Sequence, residues 1–96
     1  MNKHPEIEKK ILAAYDEVPA YIKEDIEDAI VWAKDKLMRH EGEGHDIYVT
    51  AAGTRAPNQV VCSFAKPQWP GDHCSRPMDH AAEAIVMAVC EYLNGG

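Results

Sequence analysis

Residues 67–80, PQWPGDHCSRPMDH, concentrate side chains that could do chemistry. Two histidines and a cysteine among them, His73, Cys74 and His80, are of the types that ligate zinc. Closed zinc sites usually show paired short spacings such as CxxC and HxxxH, and neither occurs here. A polar loop leading into a helix explains the same residues, so a zinc protein is kept as an alternative and no metal is assigned.

Cys74 is also the candidate for thiol chemistry, because it precedes a predicted helix and lies beside His73 and Arg76. No third group that would orient a base is identifiable in the sequence. Cys62 and Cys90 fit better as small core residues. We therefore expect no catalytic residue and no cofactor, and a thiol-dependent activity of Cys74 stays an alternative.

The second half of the chain has three basic residues, Arg55, Lys66 and Arg76. If they converge, they would form an anion site in which Tyr48 or Trp69 stacks on a planar ligand. No glycine-rich phosphate loop of a standard kind supports this arrangement. A binder of a small anionic or nucleotide ligand is therefore a second alternative.

The segment EDIED places four carboxylates in five residues, namely Glu24, Asp25, Glu27 and Asp28. The helix dipole favours acids in a first turn, so a solvated helix start is the simplest interpretation. The cluster and the net charge of −6 also fit a surface that attracts a basic protein, such as a nucleic-acid-binding protein. The same charge disfavours nonspecific binding of the chain itself to DNA or RNA.

Hydrophobic periodicity predicts the elements that position these residues. A first helix is predicted over residues 4–18 and a second over 19–40, separated by Pro19. Glycines after residue 40 are expected to end the second helix with a positive φ at Gly42 or Gly44.

Alternating apolar residues predict strands over 46–52 and 59–64, joined as an antiparallel hairpin. Residues 65–77 are predicted to be a loop, with Ser75 or Asp79 starting a last helix that is apolar nearly all round. The fold class is therefore α+β, with two N-terminal helices, a β-hairpin and a buried C-terminal helix in the order α-α-β-β-α.

A lone two-stranded sheet is marginal in water, and an apolar helix must be buried on more than one side. Both features predict a homodimer, built through the hairpin edge or the last helix. We expect residues 1–96 to form a single domain. The odd number of cysteines and the absence of a leader or a long apolar run predict a cytoplasmic protein that avoids membranes.

Our leading hypothesis is a small acidic, non-enzymatic binding protein that regulates or inhibits a macromolecular partner. The four clustered carboxylates would make the contact. Small accessory proteins of phages and mobile elements are analogous in size and charge.

Overall fold

The structure is a computed structural model that describes residues 5–54, 56–66 and 69–95, with the backbone alone at 69–73. Its helices are α1 (Pro5–Glu17), α2 (Ala20–Glu24), α3 (Ile26–Glu41) and α4 (Ala81–Asn94). Its strands are β1 (Asp46–Ala51), β2 (Val60–Lys66) and β3 (Trp69–Cys74). The α+β class and the helix–helix–hairpin–helix order are confirmed, with a break in the second helix and a third strand in addition.

The helix predicted for residues 19–40 is interrupted at Asp25, which has an extended backbone with φ −130° and ψ 123°. The Asp25 carboxylate accepts a hydrogen bond from the Asp28 backbone N–H at 3.1 Å and so caps α3. At the other end, Gly42 has a φ of +77°, and its N–H donates to the Met38 carbonyl at 2.8 Å. The predicted glycine stop is confirmed at Gly42.

The β1–β2 hairpin is antiparallel, and its register runs from Asp46 opposite Ala65 to Ala51 opposite Val60. The inner face of the sheet presents Cys62 and Phe64, both fully buried. The predicted core position of Cys62 is therefore confirmed.

β3 pairs antiparallel with the other side of β2, in the segment predicted to be a loop. It contains Pro70 and Gly71, which the sequence pattern associates with loops. Proline is tolerated in an edge strand because the missing N–H is not needed for a ladder. In the order β1-β2-β3, the third strand occupies such an edge.

Helix α4 is the centre of the fold and packs against α1, α2, α3 and the sheet. Eight of its residues are buried: Ala82, Ala84, Ile85, Val86, Met87, Ala88, Val89 and Cys90. The prediction that this helix is buried on more than one side is confirmed.

The burial of α4 and the presence of β3 remove the two reasons for expecting a dimer, because a single chain meets both demands. The Cα radius of gyration is 12.7 Å, as expected for one compact chain of this length. Within the part of the chain that the structure describes, no helix is both long and apolar enough to cross a membrane.

Candidate functional site

The four clustered carboxylates lie at the α2–α3 junction, and Glu24, Asp25, Glu27 and Asp28 are all exposed. Asp25 also has a structural role as the cap of α3. Within residues 5–54, 56–66 and 69–95, no ion pair involves any of the four. Their negative charges are therefore available to an approaching molecule.

Large apolar side chains are exposed beside these carboxylates. Tyr21 is 61% exposed, Ile26 51% and Val31 70%. Val31 follows Glu27 by four residues and Asp28 by three, which places all three on the same side of α3. We call Tyr21, Ile26, Val31 and the four carboxylates the acidic face. Apolar side chains within a polar rim are typical of protein interfaces.

The basic residue next to this face in sequence is Lys23, and it is directed towards α1. Its Nζ donates to the Tyr15 backbone carbonyl at 3.0 Å and lies 4.5 Å from the centroid of the Tyr15 ring. Because its ammonium group is held by these contacts, Lys23 does not pair with Glu24. The acidic face therefore keeps its negative potential.

A groove of about 530 Å³ adjoins the acidic face, between the α2–α3 junction and the start of α4. Glu24 and Ile26 line it together with Lys23, His80 and Glu83. The structure thus brings together Glu24 and His80, which the sequence analysis assigned to different candidate sites.

Two basic residues of the predicted anion site, Lys66 and Arg76, lie in the described part of the chain, and both form ion pairs within the protein. Lys66 Nζ lies 2.8 Å from Glu41 Oε1, and the Tyr92 hydroxyl donates to the same carboxylate. These contacts lower the pKa of Glu41 to about 2, and the Glu41 carboxylate raises the pKa of Lys66. An anionic ligand would have to compete with Glu41 for Lys66.

Arg76 pairs with two carboxylates, those of Glu8 and Glu91. Its guanidinium donates to both oxygens of Glu8, at 2.7 and 2.8 Å, and its Nε donates to Glu91 at 2.9 Å. The hydrogen bonds from Arg76 lower the pKa of Glu8, and the hydrogen bonds to Glu8 and Glu91 raise the pKa of Arg76. This residue connects α1 to α4 through its side chain.

Of the other three residues of the predicted anion site, the structure describes the side chain of Tyr48 alone. Tyr48 is half-exposed on β1, opposite Ser63 of β2. Arg55 and the side chain of Trp69 lie outside the described residues. Convergence of Tyr48, Arg55, Lys66, Trp69 and Arg76 on one ligand therefore stays a prediction.

The candidate metal and thiol residues are spread along the chain after β2. Cys74 is exposed at the end of β3, His80 is the N-cap residue of α4, and the side chain of His73 lies outside the described residues. No group of three or more His, Cys, Asp or Glu side chains is placed to hold a metal ion among the residues described.

The other two thiols are buried. Burial raises the pKa of Cys62 to about 12 and that of Cys90 to about 11. The assignment of both residues to the core is confirmed.

The connection into α4 differs from the sequence prediction. Ser75 is buried, and its hydroxyl accepts a hydrogen bond from the Cys62 N–H and donates to the Arg76 carbonyl, both at 2.9 Å. Asp79 accepts a hydrogen bond from the Gln59 side chain at 3.0 Å. Neither residue caps α4, whose N-cap position is occupied by His80 without a side-chain hydrogen bond.

His45 was not among the candidate residues; it is 5% exposed, and its ring lies edge-on to Phe64 and Tyr92. Neither ring nitrogen has a hydrogen-bond partner within the described part of the chain. The glycines before it predict only the end of a helix, and no local pattern marks the burial. The aromatic residues that enclose it come from β2 and α4.

Comparison of the chain with protein-family models, curated proteins and solved structures finds no match in any of the three.

Proposed function

We propose that this protein is a non-enzymatic binding protein that captures a basic protein partner through the acidic face and thereby regulates or inhibits it. The observation that carries this proposal is the set of exposed carboxylates at the α2–α3 junction, free of ion pairs in the described residues and adjacent to exposed Ile26 and Val31. The carboxylates would attract and orient the partner, and the apolar side chains would supply buried contact area.

The partner is expected to present lysines and arginines around a small apolar depression. Proteins that bind nucleic acids have surfaces rich in lysine and arginine, because they must neutralise phosphates. An acidic protein docked on that surface would compete with the nucleic acid. Such binding should weaken as salt rises, because the ions screen the attraction between exposed charges.

The test uses a charge reversal that spares the helix cap. Asp25 is left unchanged, because losing an N-cap carboxylate costs about 1 kcal/mol of stability. The test variant carries Glu24→Lys, Glu27→Lys and Asp28→Lys. The control variant carries Glu6→Lys, Glu43→Lys and Asp46→Lys, which reverse three exposed acids outside the acidic face.

The two variants are matched in net charge, because three reversals of two units each bring both from −6 to 0. Each also places lysine in a first helical turn, at Glu6 of α1 or at Glu27 and Asp28 of α3. Circular dichroism is used to check that both variants remain folded.

The partner is first captured on immobilised wild-type protein. Its affinity for each variant is then measured by titration of the purified partner at two salt concentrations. We expect a basic partner to bind the wild type and the control variant and not to bind the test variant. Equal binding by the test variant, or equal loss by the control, would contradict the proposal.

The homodimer stays a prediction from the sequence alone, and because α4 is buried within the chain, its remaining candidate interface is the outer edge of β1. A single mass corresponding to one chain in native mass spectrometry at micromolar concentration would contradict it. A cytoplasmic location is supported by the three free thiols, the state expected in a reducing compartment.

A further inference from the structure

A second groove, of about 310 Å³, lies over α4 between α1 and α3. Both flanking helices pack on α4, which forms the floor of the groove. The volume is that of about ten water molecules in the bulk liquid. It falls at the lower end of the range of small-molecule sites.

The base and walls of this groove are mainly apolar, and Glu17, Lys36 and Asn94 add polar groups to its lining. Val18, Val89 and Cys90 are buried at its base, and the half-buried side chains of Trp32 and Leu93 form its walls. An apolar pocket with one aromatic wall suits an aliphatic or aromatic ligand body.

One ammonium group at the rim has no partner among the described residues. Lys36 follows Trp32 by four residues, which places both on one face of α3, and no ion pair involves it in that part of the chain. Burial and the Glu91 carboxylate raise the pKa of Cys90 at the base of the groove, and the charges of Lys23 and Lys36 act in the opposite direction. The rim therefore carries one ammonium group, that of Lys36, and one carboxylate, that of Glu17.

We propose that this groove binds a small amphipathic molecule with a single carboxylate or similar anionic group. The apolar body packs on Trp32, Val89 and Leu93, and the anionic group pairs with Lys36. Glu17 at the rim repels additional negative charge, which favours a monoanion over a nucleotide or other polyanion. This site is independent of the acidic face and of the proposed protein partner.

The test compares octanoate with octanol, which has the same chain length but no charge. Binding is measured by titration of the ¹⁵N-labelled protein in NMR, which also reports where each ligand binds. Lys36→Gln removes the rim charge while keeping much of the side-chain stem. Lys34→Gln, an exposed lysine on another side of the same helix, is the matched control.

We expect octanoate to shift the resonances of Trp32, Val89 and Leu93 at millimolar concentration or below. The Lys36→Gln variant should bind octanoate roughly tenfold more weakly, since a charge-assisted contact is lost, and should bind octanol as the wild type does. Lys34→Gln should leave both affinities unchanged.

Three results would overturn the proposal. The first is no binding of octanoate at millimolar concentration, and the second is shifts confined to residues outside the groove. The third is an octanoate affinity that Lys36→Gln leaves unchanged or that Lys34→Gln lowers equally.

Discussion

Arg76 and Glu8 are 68 residues apart in the sequence and are joined by two parallel hydrogen bonds of 2.7 and 2.8 Å. The same guanidinium donates to Glu91 of α4. One side chain therefore ties the first helix, the connection after β3 and the last helix together. The fork geometry of arginine suits this task, because it can serve two carboxylates at once.

We expect Arg76→Lys to lower the melting temperature by several degrees, because lysine keeps the charge but loses the paired geometry. The control is Arg39→Lys, at an exposed pair with Asp35 on α3, where the same change should shift the melting temperature by about one degree or less. Thermal unfolding followed by circular dichroism measures both. Equal shifts in the two variants would contradict the role assigned to Arg76.

The lowered pKa of Glu41 predicts how the free energy of unfolding changes in acid. Its pKa falls from an ordinary 4.5 to about 2 in the fold, chiefly through the Lys66 and Tyr92 hydrogen bonds. A lowered carboxylate pKa gives a stabilising contribution that is complete above about pH 5 and is lost as the pH falls towards 2. The raised pKa of Lys66 acts in the opposite direction, and its contribution is lost only as the solution becomes strongly alkaline.

Glu41→Gln should therefore lower stability at pH 7 and flatten the decline in stability between pH 5 and pH 2. Urea unfolding at a series of pH values measures this slope. Glu43→Gln, which removes an exposed carboxylate from the following loop, should retain the wild-type slope. A slope for Glu41→Gln as steep as that of the wild type would exclude Glu41 as its source.

The buried ring of His45 predicts a stabilising substitution. A buried polar group without a hydrogen-bond partner costs free energy, and phenylalanine has a similar shape without polar atoms. We expect His45→Phe to raise the free energy of unfolding by about 1 kcal/mol in urea titrations. His40→Phe, at an exposed position on α3, should give no such gain. A loss of stability in His45→Phe would indicate that ordered water satisfies the ring nitrogens.

The three thiols are expected to differ in reactivity. Cys74 is exposed, whereas burial raises the pKa of Cys62 to about 12 and of Cys90 to about 11. Iodoacetamide at pH 8 should therefore alkylate the folded protein once and the unfolded protein three times, as read by mass spectrometry. Cys74→Ser should abolish the rapid alkylation. Rapid modification of two sites would show that one of the buried thiols is accessible.

Much of the fold could be predicted from local pattern. The apolar stripes of α1 and α3, the alternation in β1 and β2 and the apolar sequence of α4 each match the structure. The break at Asp25 was missed because an aspartate within an acidic run resembles an ordinary first-turn residue. β3 was missed because Pro70 and Gly71 weaken strand propensity, and pairing with β2 outweighs propensity at a sheet edge.

The candidate sites likewise include residues that the sequence could predict and residues that it could not. The four acidic residues could be read from the sequence, since clustered charges at a helix start are solvated wherever that helix packs. The positions of Lys66 and Arg76 could not, because their partners, Glu41, Glu8 and Glu91, come from distant segments. The Lys36–Trp32 groove was equally hidden, since it exists only where α1 and α3 flank α4.

By itself, the sequence determined the fold class, the order of the main elements and the exposed acidic cluster, because these depend on periodicity and charge within short windows of chain. Only the tertiary structure decided which charges are paired, that β2 has a second neighbour and that His45 is buried. Those outcomes depend on side chains brought together from segments up to 68 residues apart, and packing rather than local propensity selects them.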